Sequence, residues 1–208
     1  SIRRKHLERI ILATHNKAKQ ETLQWVLEDL CLTSVLPDEF FRKIHVDEDG
    51  SSHVENAKQK ALVVSNVTGE MAIGTDGGLL VPALGNSWDS KKTRRFAGEK
   101  ADDIMRLDCL LKLMAPYKGK DRTIAWVEAV ALARNEEVLE TWQVVGANGI
   151  LAENYDEDQI VPGFWVYSIW DFPDLGKKYS ELTEEDKLAV NDPWFIIRSK
   201  VRQYIQMG

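Results

Sequence analysis

The sequence contains few cysteines, and this limits the kinds of protein it can encode. Only Cys31 and Cys109 occur among 208 residues, far apart and outside any Cys-x-x-Cys or Cys/His spacing. Neither a disulfide framework nor a zinc site is therefore expected. A reducing compartment suits such a chain, and we expect a cytoplasmic protein.

The sequence also lacks an excess of positive charge and any long apolar run. Lys and Arg number 27 against 33 Asp and Glu, which gives a formal net charge of −6. A negative chain repels the nucleic-acid backbone, so we expect no nucleic acid as a partner. No apolar run approaches the roughly 20 residues that cross a bilayer, so no membrane partner is expected either.

The composition and the apolar spacing suit one folded α/β domain over residues 1–208. Hydrophobic residues make up 44% of the chain, enough for a full core. Strand and helix patterns alternate early and strands pair as hairpins late, which predicts a mixed sheet. The predicted strands cover residues 9–14, 71–74, 79–84, 123–133, 138–145 and 163–170; the predicted helices cover 16–30, 52–67, 101–115 and a final segment from Pro193. Residues 85–98 are polar and predict a mobile surface loop.

One candidate phosphate site lies where the first strand gives way to the first helix, at Thr14-His15-Asn16-Lys17-Ala18-Lys19. The unpaired N–H groups of a helix N-terminus, with lysines beside them, attract phosphate. A polar turn in which Asn16 caps the helix and the lysines are solvated explains the same letters. Lys60 and Lys187, on other predicted helices, are further candidates, although exposed helical lysines are common.

Asp76, in Thr75-Asp76-Gly77-Gly78, and Glu48, in Asp47-Glu48-Asp49-Gly50, are the candidate metal ligands. Magnesium favours one or two carboxylates together with substrate phosphate oxygens. Asp-Gly between apolar runs is also typical of a hairpin turn, and an acidic run is typical of a solvated loop. The histidines form no i, i+4 metal pair and no serine occupies a nucleophile elbow, so zincin and triad chemistry are not expected.

Six segments, in order, resemble motifs of the inosine/xanthosine triphosphate pyrophosphatase family. They are residues 11–19 (ILATHNKAK), Glu48, residues 55–61 (ENAKQKA), 75–79 (TDGGL), 95–98 (RFAG) and 181–187 (ELTEEDK). The resemblance implies an elongated mixed sheet with flanking helices that form two lobes around a substrate cleft, and a homodimer. It also implies that water attacks the α-phosphorus of a nucleoside triphosphate, releasing a monophosphate and pyrophosphate with the help of Mg²⁺.

The resemblance also assigns roles to individual positions. Asp76, Lys19 and Lys60 would be catalytic, and Glu48 with Asp76 would hold the metal or orient the water. Cations and a metal at these points would neutralise the charge that spreads over the phosphate oxygens. The implied substrate-binding residues are Thr14, Asn16, Lys19, Asn56, Lys60, Gly77, Arg95, Phe164, Trp165, Tyr167, Lys187 and Asp192.

The chain departs from the family pattern at three places. Thr75 stands where the family has the first aspartate of an acidic pair, and Gly77 replaces the serine that follows it. Residues 163–168 (GFWVYS) replace Gly-Phe-Gly-Tyr-Asp-Pro, and residues 191–193 (NDP) replace Ser-His-Arg. We therefore expect either a pyrophosphatase whose base preference has moved away from inosine and xanthosine, or a catalytically weak relative that binds nucleotides or a protein.

Asp192 carries two alternatives of its own. As an acceptor-only carboxylate it would favour a base edge that carries an amino group, such as adenine or cytosine. Alternatively, it caps the final helix, with Pro193 in the first helical position, and touches no ligand.

Overall fold

A computed structural model of the chain describes residues 8–44 and 50–208. Within these ranges the chain forms seven strands and six α-helices. The strands are β1 (Arg9–Leu12), β2 (Leu32–Val35), β3 (Met71–Leu80), β4 (Thr123–Arg134), β5 (Glu137–Leu151), β6 (Trp170–Phe172) and β7 (Lys177–Lys178). The helices are α1 (Lys17–Val26), α2 (Asp38–Lys43), α3 (His53–Thr68), α4 (Asp103–Met114), α5 (Glu184–Ala189) and α6 (Pro193–Met207).

The strands form one mixed sheet in the order β2-β1-β3-β4-β5-β6-β7. β1 runs parallel to both β2 and β3. β5, β6 and β7 are antiparallel neighbours. A two-residue turn joins β4 to β5, and its first residue, Asn135, has a φ of 56°, a conformation that asparagine tolerates better than most residues. The predicted α/β fold with a mixed sheet is thus confirmed.

The chain divides into two compact units. The first unit contains the described residues up to Asp76 together with Glu128–Val144 and Trp194–Gly208. The second unit contains Gly77–Val127 and Val145–Pro193. That residues 1–208 form a single domain stays a prediction.

In the first unit, side chains alternate between the two faces of the sheet. On one face Val130 and Leu132 of β4 join a buried cluster that includes Leu23 of α1 and Ile197 and Val201 of α6. On the other face the side chains are small, which lets α3 lie close to the strands. This second face consists of Ala57 and Ala61 of α3 against Ala129, Ala131 and Ala133 of β4.

Gly74 of β3 shows how close α3 comes to the sheet. A Cβ atom on Gly74 would lie 2.4 Å from the carbonyl oxygen of Ala57 and 2.8 Å from the amide nitrogen of Ala61. Both distances are shorter than any real contact of this kind, so only glycine fits here. The helix that carries Asn56 and Lys60 is therefore held against the strand that carries Asp76.

The second unit has its own buried core. Leu107, Leu110 and Met114 of α4 pack in one cluster with aromatic side chains that include Trp170. Arg122, 3% exposed, donates hydrogen bonds to the carbonyl oxygens of Met114, Tyr117, Leu151 and Ala152. A buried guanidinium satisfied in this way ties the end of α4 to the start of β4.

The predicted pair of strands at 71–74 and 79–84 is wrong, because β3 continues without a turn through Thr75-Asp76-Gly77-Gly78. Gly77 and Gly78 do not adopt the positive φ of a turn. A Cβ atom on Gly78 would lie 2.0 Å from the carbonyl oxygen of Ser90. The glycine is needed for close approach of another segment, so the hairpin alternative for Asp76 is removed.

The predicted strand at 163–170 is also wrong. Trp165–Ile169 is a 3₁₀ helix, and only Trp170–Phe172 is extended. Phe164 and Tyr167 stack with their ring centroids 4.8 Å apart, and side chains three apart align in a 3₁₀ helix. The β-branched and aromatic composition favoured a strand, but ring packing selected the tighter helix.

The segment 85–98 contains more order than a surface loop. A 3₁₀ turn at Pro82–Ser87 overlaps its start, and a second lies at Ser90–Lys92. The buried Thr93 hydroxyl accepts a hydrogen bond from the amide of Leu79 and donates to the carbonyl of Ser90.

No helix among the described residues combines the length and apolarity needed to cross a membrane.

Candidate active site

Asp76 is the centre of a polar cluster in the first unit. It lies on β3 two residues after Gly74, so its side chain points to the same face, towards α3. Asp76 is 8% exposed. A carboxylate so removed from water needs hydrogen-bond donors and positive charge around it.

Two donors from the first turn of α3 bind one oxygen of this carboxylate. Nδ1 of His53 lies 2.7 Å from Oδ2 of Asp76. The side-chain amide of Asn56 donates to the same Oδ2 at 3.2 Å. Ser52 caps the helix by accepting a hydrogen bond from the amide of Glu55, which fixes where α3 begins and therefore where both donors lie.

The orientation of the Asn56 amide is set by its other contact. The backbone N–H of Gly50 donates to Oδ1 of Asn56 at 2.9 Å, so the NH₂ group must face Asp76. A Cβ atom on Gly50 would lie 2.4 Å from that Oδ1. Glycine at position 50 therefore allows the backbone to reach the amide.

Lys60 follows one helical turn after Asn56 and serves the other carboxylate oxygen. Its Nζ lies 3.4 Å from Oδ1 of Asp76 and 3.2 Å from the carbonyl oxygen of Thr75. Burial raises the pKa of Asp76, but the hydrogen bond from His53 and the charges of Lys60 and Lys19 outweigh it and leave that pKa below its ordinary value. Asp76 is therefore an anion at neutral pH.

The turn at the start of α1 is ordered as the cap alternative predicted. Asn16 accepts a hydrogen bond from the amide of Lys19, and the hydroxyl of Thr14 accepts one from the amide of Asn16. The cap does not exclude a phosphate role, because the charge of Lys19 is close enough to lower the pKa of Asp76. The sequence-predicted residues Thr14, Asn16 and Lys19 thus form one rigid turn.

The opposite face of β3 carries a carboxylate that the sequence interpretation missed. Thr75 donates a hydrogen bond to Oε1 of Glu128 at 2.7 Å, and both residues are 1% exposed. Glu128 is the one charged residue inside the apolar run of β4, which was the available signal. His53 was missed too, because the histidines were considered only as possible metal pairs.

Three of the predicted substrate-binding residues, Tyr167, Lys187 and Asp192, lie in the second unit, and each contacts Tyr179. Tyr167 packs on Tyr179 with ring centroids 4.2 Å apart, and Nζ of Lys187 lies 5.4 Å from the centre of the Tyr179 ring. The Tyr179 hydroxyl donates to Oδ2 of Asp192, which is 2% exposed. Burial, together with Tyr167 and Asp192, raises the pKa of Tyr179, so it remains a donor.

The other predicted residues of the second unit have different surroundings. Phe164 stacks on Tyr167, while Trp165 is buried and packs against Phe96. Arg95 is exposed. Gly77 continues β3 directly after Asp76.

Asp76 is the residue of this cluster that could bind a magnesium ion. Among residues 8–44 and 50–208, no three His, Cys, Asp or Glu side chains form a group that could hold a metal ion. Glu48, the second predicted ligand, lies outside the described residues. Oδ1 of Asp76 is a hard anionic oxygen, and magnesium needs only one or two carboxylates when phosphate oxygens and water complete its shell. The donor chemistry therefore fits a magnesium ion bound together with a triphosphate.

Comparison with known proteins places these features in a family. The family model of the Ham1 family matches residues 10–192. A dITP/XTP pyrophosphatase of Desulforamulus reducens is 31% identical over 183 residues, 88% of this chain and 89% of that protein. Another, from Pectobacterium atrosepticum, is 31% identical over 189 residues, 88% of this chain and 91% of that protein.

Solved structures agree with this assignment. A HAM1 protein from Coxiella burnetii has a TM-score of 0.78 and 27% identity, covering 97% of this chain and 100% of that chain. A nucleoside-triphosphatase (dITP/XTP pyrophosphatase) from Mycobacterium abscessus has a TM-score of 0.67 and 28% identity, covering 92% of this chain and 97% of that chain. The chain belongs to the Ham1 family, which confirms the resemblance found in the sequence motifs.

Proposed function

We propose that this protein hydrolyses a nucleoside triphosphate to the monophosphate and pyrophosphate. The observation that carries the proposal is the Asp76 cluster, in which an ionised carboxylate is held by His53 and Asn56 and lies beside Lys60 and Lys19. An anion that orients water, with cations beside it that can bind phosphate, is what attack on phosphorus requires. The dITP/XTP pyrophosphatases among the relatives support the same reaction.

In the proposed reaction, water attacks the α-phosphorus and the bond to the bridging oxygen of the β-phosphate breaks. The water oxygen ends on the monophosphate, and the bridging oxygen leaves with pyrophosphate. Asp76 orients the water through Oδ1, while Lys19 and Lys60 neutralise charge on the phosphate oxygens. Thr14, Asn16, Asn56, Gly77, Arg95 and Lys187 are proposed as further substrate contacts on the basis of the family resemblance.

Magnesium is the proposed cofactor, with Asp76 and Glu48 as its protein ligands. When bound, the ion would neutralise phosphate charge and orient the triphosphate relative to the carboxylate of Asp76.

A homodimer is also proposed from the resemblance, and light scattering after gel filtration tests it.

We propose in addition that base preference differs from that of the dITP/XTP pyrophosphatases. The support is that Asp192, an acceptor, stands where the family carries a His-Arg pair, and that Phe164, Tyr167 and Tyr179 offer stacked rings beside it. If Asp192 reads the base, amino-bearing bases are favoured. If it serves only to anchor Tyr179 or to cap α6, replacing it leaves preference unchanged.

A second candidate is a catalytically weak relative that binds nucleotides or a protein. Thr75 favours it, because the position of the first family aspartate carries a hydroxyl that donates to the buried Glu128. One carboxylate fewer near the metal weakens metal binding.

One experiment decides between the candidates. The protein is incubated with a panel of nucleoside triphosphates and Mg²⁺, with chelator as the control, and pyrophosphate and orthophosphate are measured separately. We expect pyrophosphate with matching monophosphate, and no product after chelation. Orthophosphate as the first product would contradict the reaction, and binding without turnover of any nucleotide would establish the weak relative.

A further inference from the structure

The two carboxylate oxygens of Asp76 have different hydrogen-bond partners. Oδ2 accepts from Nδ1 of His53 at 2.7 Å and from Nδ2 of Asn56 at 3.2 Å. Oδ1 has the longer 3.4 Å contact with Nζ of Lys60. These two contacts from the first turn of α3 fix the rotation of the carboxylate. Oδ2 is therefore occupied by hydrogen bonds within the protein.

We propose that His53 is a positioning residue: its Nδ1–H holds Oδ2 of Asp76 so that Oδ1 is the oxygen presented to magnesium and the attacking water. This rests on the proposed function, which it deepens by naming the residue that orients the acid. His53 itself contacts neither phosphate nor metal in the proposed arrangement. It acts through Asp76, as outer partners of metal-binding and catalytic groups do.

The hydrogen bond to Asp76 shows which ring nitrogen of His53 carries a proton. An ionised carboxylate only accepts, so the imidazole must donate from Nδ1. The amide of Asn56 is already fixed by Gly50 and approaches from the same helix. Without His53 the carboxylate keeps only the longer contacts, from Asn56 to Oδ2 and from Lys60 to Oδ1, so the carboxyl group rotates more freely about its last bond.

The position of the His53 side chain is also restricted by burial and by the capped start of α3. It is the first residue of α3, directly after the cap Ser52, and its side chain is 7% exposed. A buried ring at a capped helix start has few alternative positions. The helix thereby supplies three groups to one carboxylate, from residues 53, 56 and 60.

The test replaces the donor while retaining bulk. His53→Leu fills the space without an N–H, whereas His53→Asn places an amide near the position of the imidazole Nδ1. We expect His53→Leu to lower kcat about 10- to 100-fold, the range for loss of an outer partner, with KM within about twofold. His53→Asn should recover most of kcat. Thermal unfolding of both variants checks that they fold.

Two results would overturn the positioning role in a protein that is active. One is wild-type kcat in His53→Leu. The other is an equal fall of kcat in the Leu and Asn variants, which would mean that the ring matters for its packing alone. A parent protein that releases pyrophosphate from no nucleotide would instead sink the proposed function, so the two failures are distinguishable.

A measurement independent of turnover tests the contact itself. Protein with ¹⁵N-labelled histidine rings is studied by NMR without nucleotide, and the His53 signals are assigned by their absence in His53→Asn. We expect a proton on Nδ1 of His53 and a change of that signal in Asp76→Ala. A ring protonated on Nε2 alone would refute the hydrogen bond on which the inference stands.

Discussion

The substitution Asp76→Asn gives the most direct test of the active-site assignment. It keeps the shape of the side chain and an oxygen that can accept from His53, but it removes the negative charge that Lys60 faces at 3.4 Å. A neutral amide neither attracts magnesium as strongly nor accepts a proton from water. We therefore expect turnover to fall and binding of the triphosphate to the lysines to survive.

The expected magnitudes can be worked from the contacts. Loss of a group that orients or deprotonates water lowers kcat about 10²- to 10⁴-fold, equal to about 2.7–5.5 kcal/mol in the barrier. Breaking a fully buried ion pair costs about 3–5 kcal/mol of folding stability. The side chains of Asp76 and Lys60 keep 12% and 14% exposure, so we expect about 2–3 kcal/mol, which a typical domain survives.

The assay measures kcat and KM from pyrophosphate release with the best nucleotide of the panel, and binding to a non-hydrolysable analogue by calorimetry. Asp171→Asn is the matched control, since Asp171 also pairs with a lysine, Lys178, at 2.7 Å but lies outside the proposed site. We expect the control to retain kcat. Unchanged turnover in Asp76→Asn would remove Asp76 from the site and with it the proposed mechanism.

Three further outcomes follow from the same geometry. Lys60→Ala and Lys19→Ala should each weaken triphosphate binding about 10- to 100-fold, as expected for one charged hydrogen bond, while nucleoside binding stays constant; equal loss for both ligands would contradict a phosphate role. Gly74→Ala should lower the free energy of unfolding by about 1–3 kcal/mol in urea, because its Cβ would meet the carbonyl of Ala57 at 2.4 Å. The pKa of Asp76 is lowered on folding, so its stabilising contribution is present above about pH 4 and lost as the pH falls through the lower folded value; the stability gap between parent and Asp76→Asn should therefore shrink in acid, and a gap that widens would refute the sign.

The long helix α3 could be predicted from the sequence because its signals are local. The spacing that predicted a helix over 52–67 matches α3 (His53–Thr68), with Ser52 as its cap. Thr183 likewise caps α5 (Glu184–Ala189), with its side chain accepting a hydrogen bond from the amide of Asp186. Cap chemistry and apolar periodicity depend on neighbours along the chain, so they are visible without a structure.

The misassigned elements depended on distant residues. Asp-Gly-Gly after an apolar run is also what a turn would show, and only the carbonyl of Ser90, 2.0 Å from a Cβ atom on Gly78, reveals why glycine is there. The edge strand β2 (Leu32–Val35) and the short helix α2 (Asp38–Lys43) were not predicted. Neither contains a buried residue, so neither shows the apolar periodicity by which a strand or helix is identified in a sequence.

Only those residues of the candidate site that lie in recognisable motifs could be predicted from the sequence. Asp76, Asn56 and Lys60, all named by those motifs, are in contact because α3 packs against the face of β3 that carries Asp76. His53 matched no expected pattern, since its role depends on the rotation of a carboxylate that lies 23 positions later in the chain. A residue such as His53, which acts by holding another side chain, is recognised only from its distance to that side chain in the folded protein.

Base preference and turnover should respond to different substitutions in this protein. Every nucleoside triphosphate carries the same phosphates, so Asp76, Lys19 and Lys60 cannot distinguish one base from another. Substitutions at these positions should change rates for all substrates by a common factor. Selection must therefore come from other residues, and Asp192, which stands where the family pattern has been replaced and accepts a hydrogen bond from Tyr179, is our candidate. A change in the ratio of kcat/KM for adenosine, cytidine and inosine triphosphates in Asp192→Ala, without a common loss, would assign base readout to Asp192, whereas inosine triphosphate as the preferred substrate of the parent would rule that readout out.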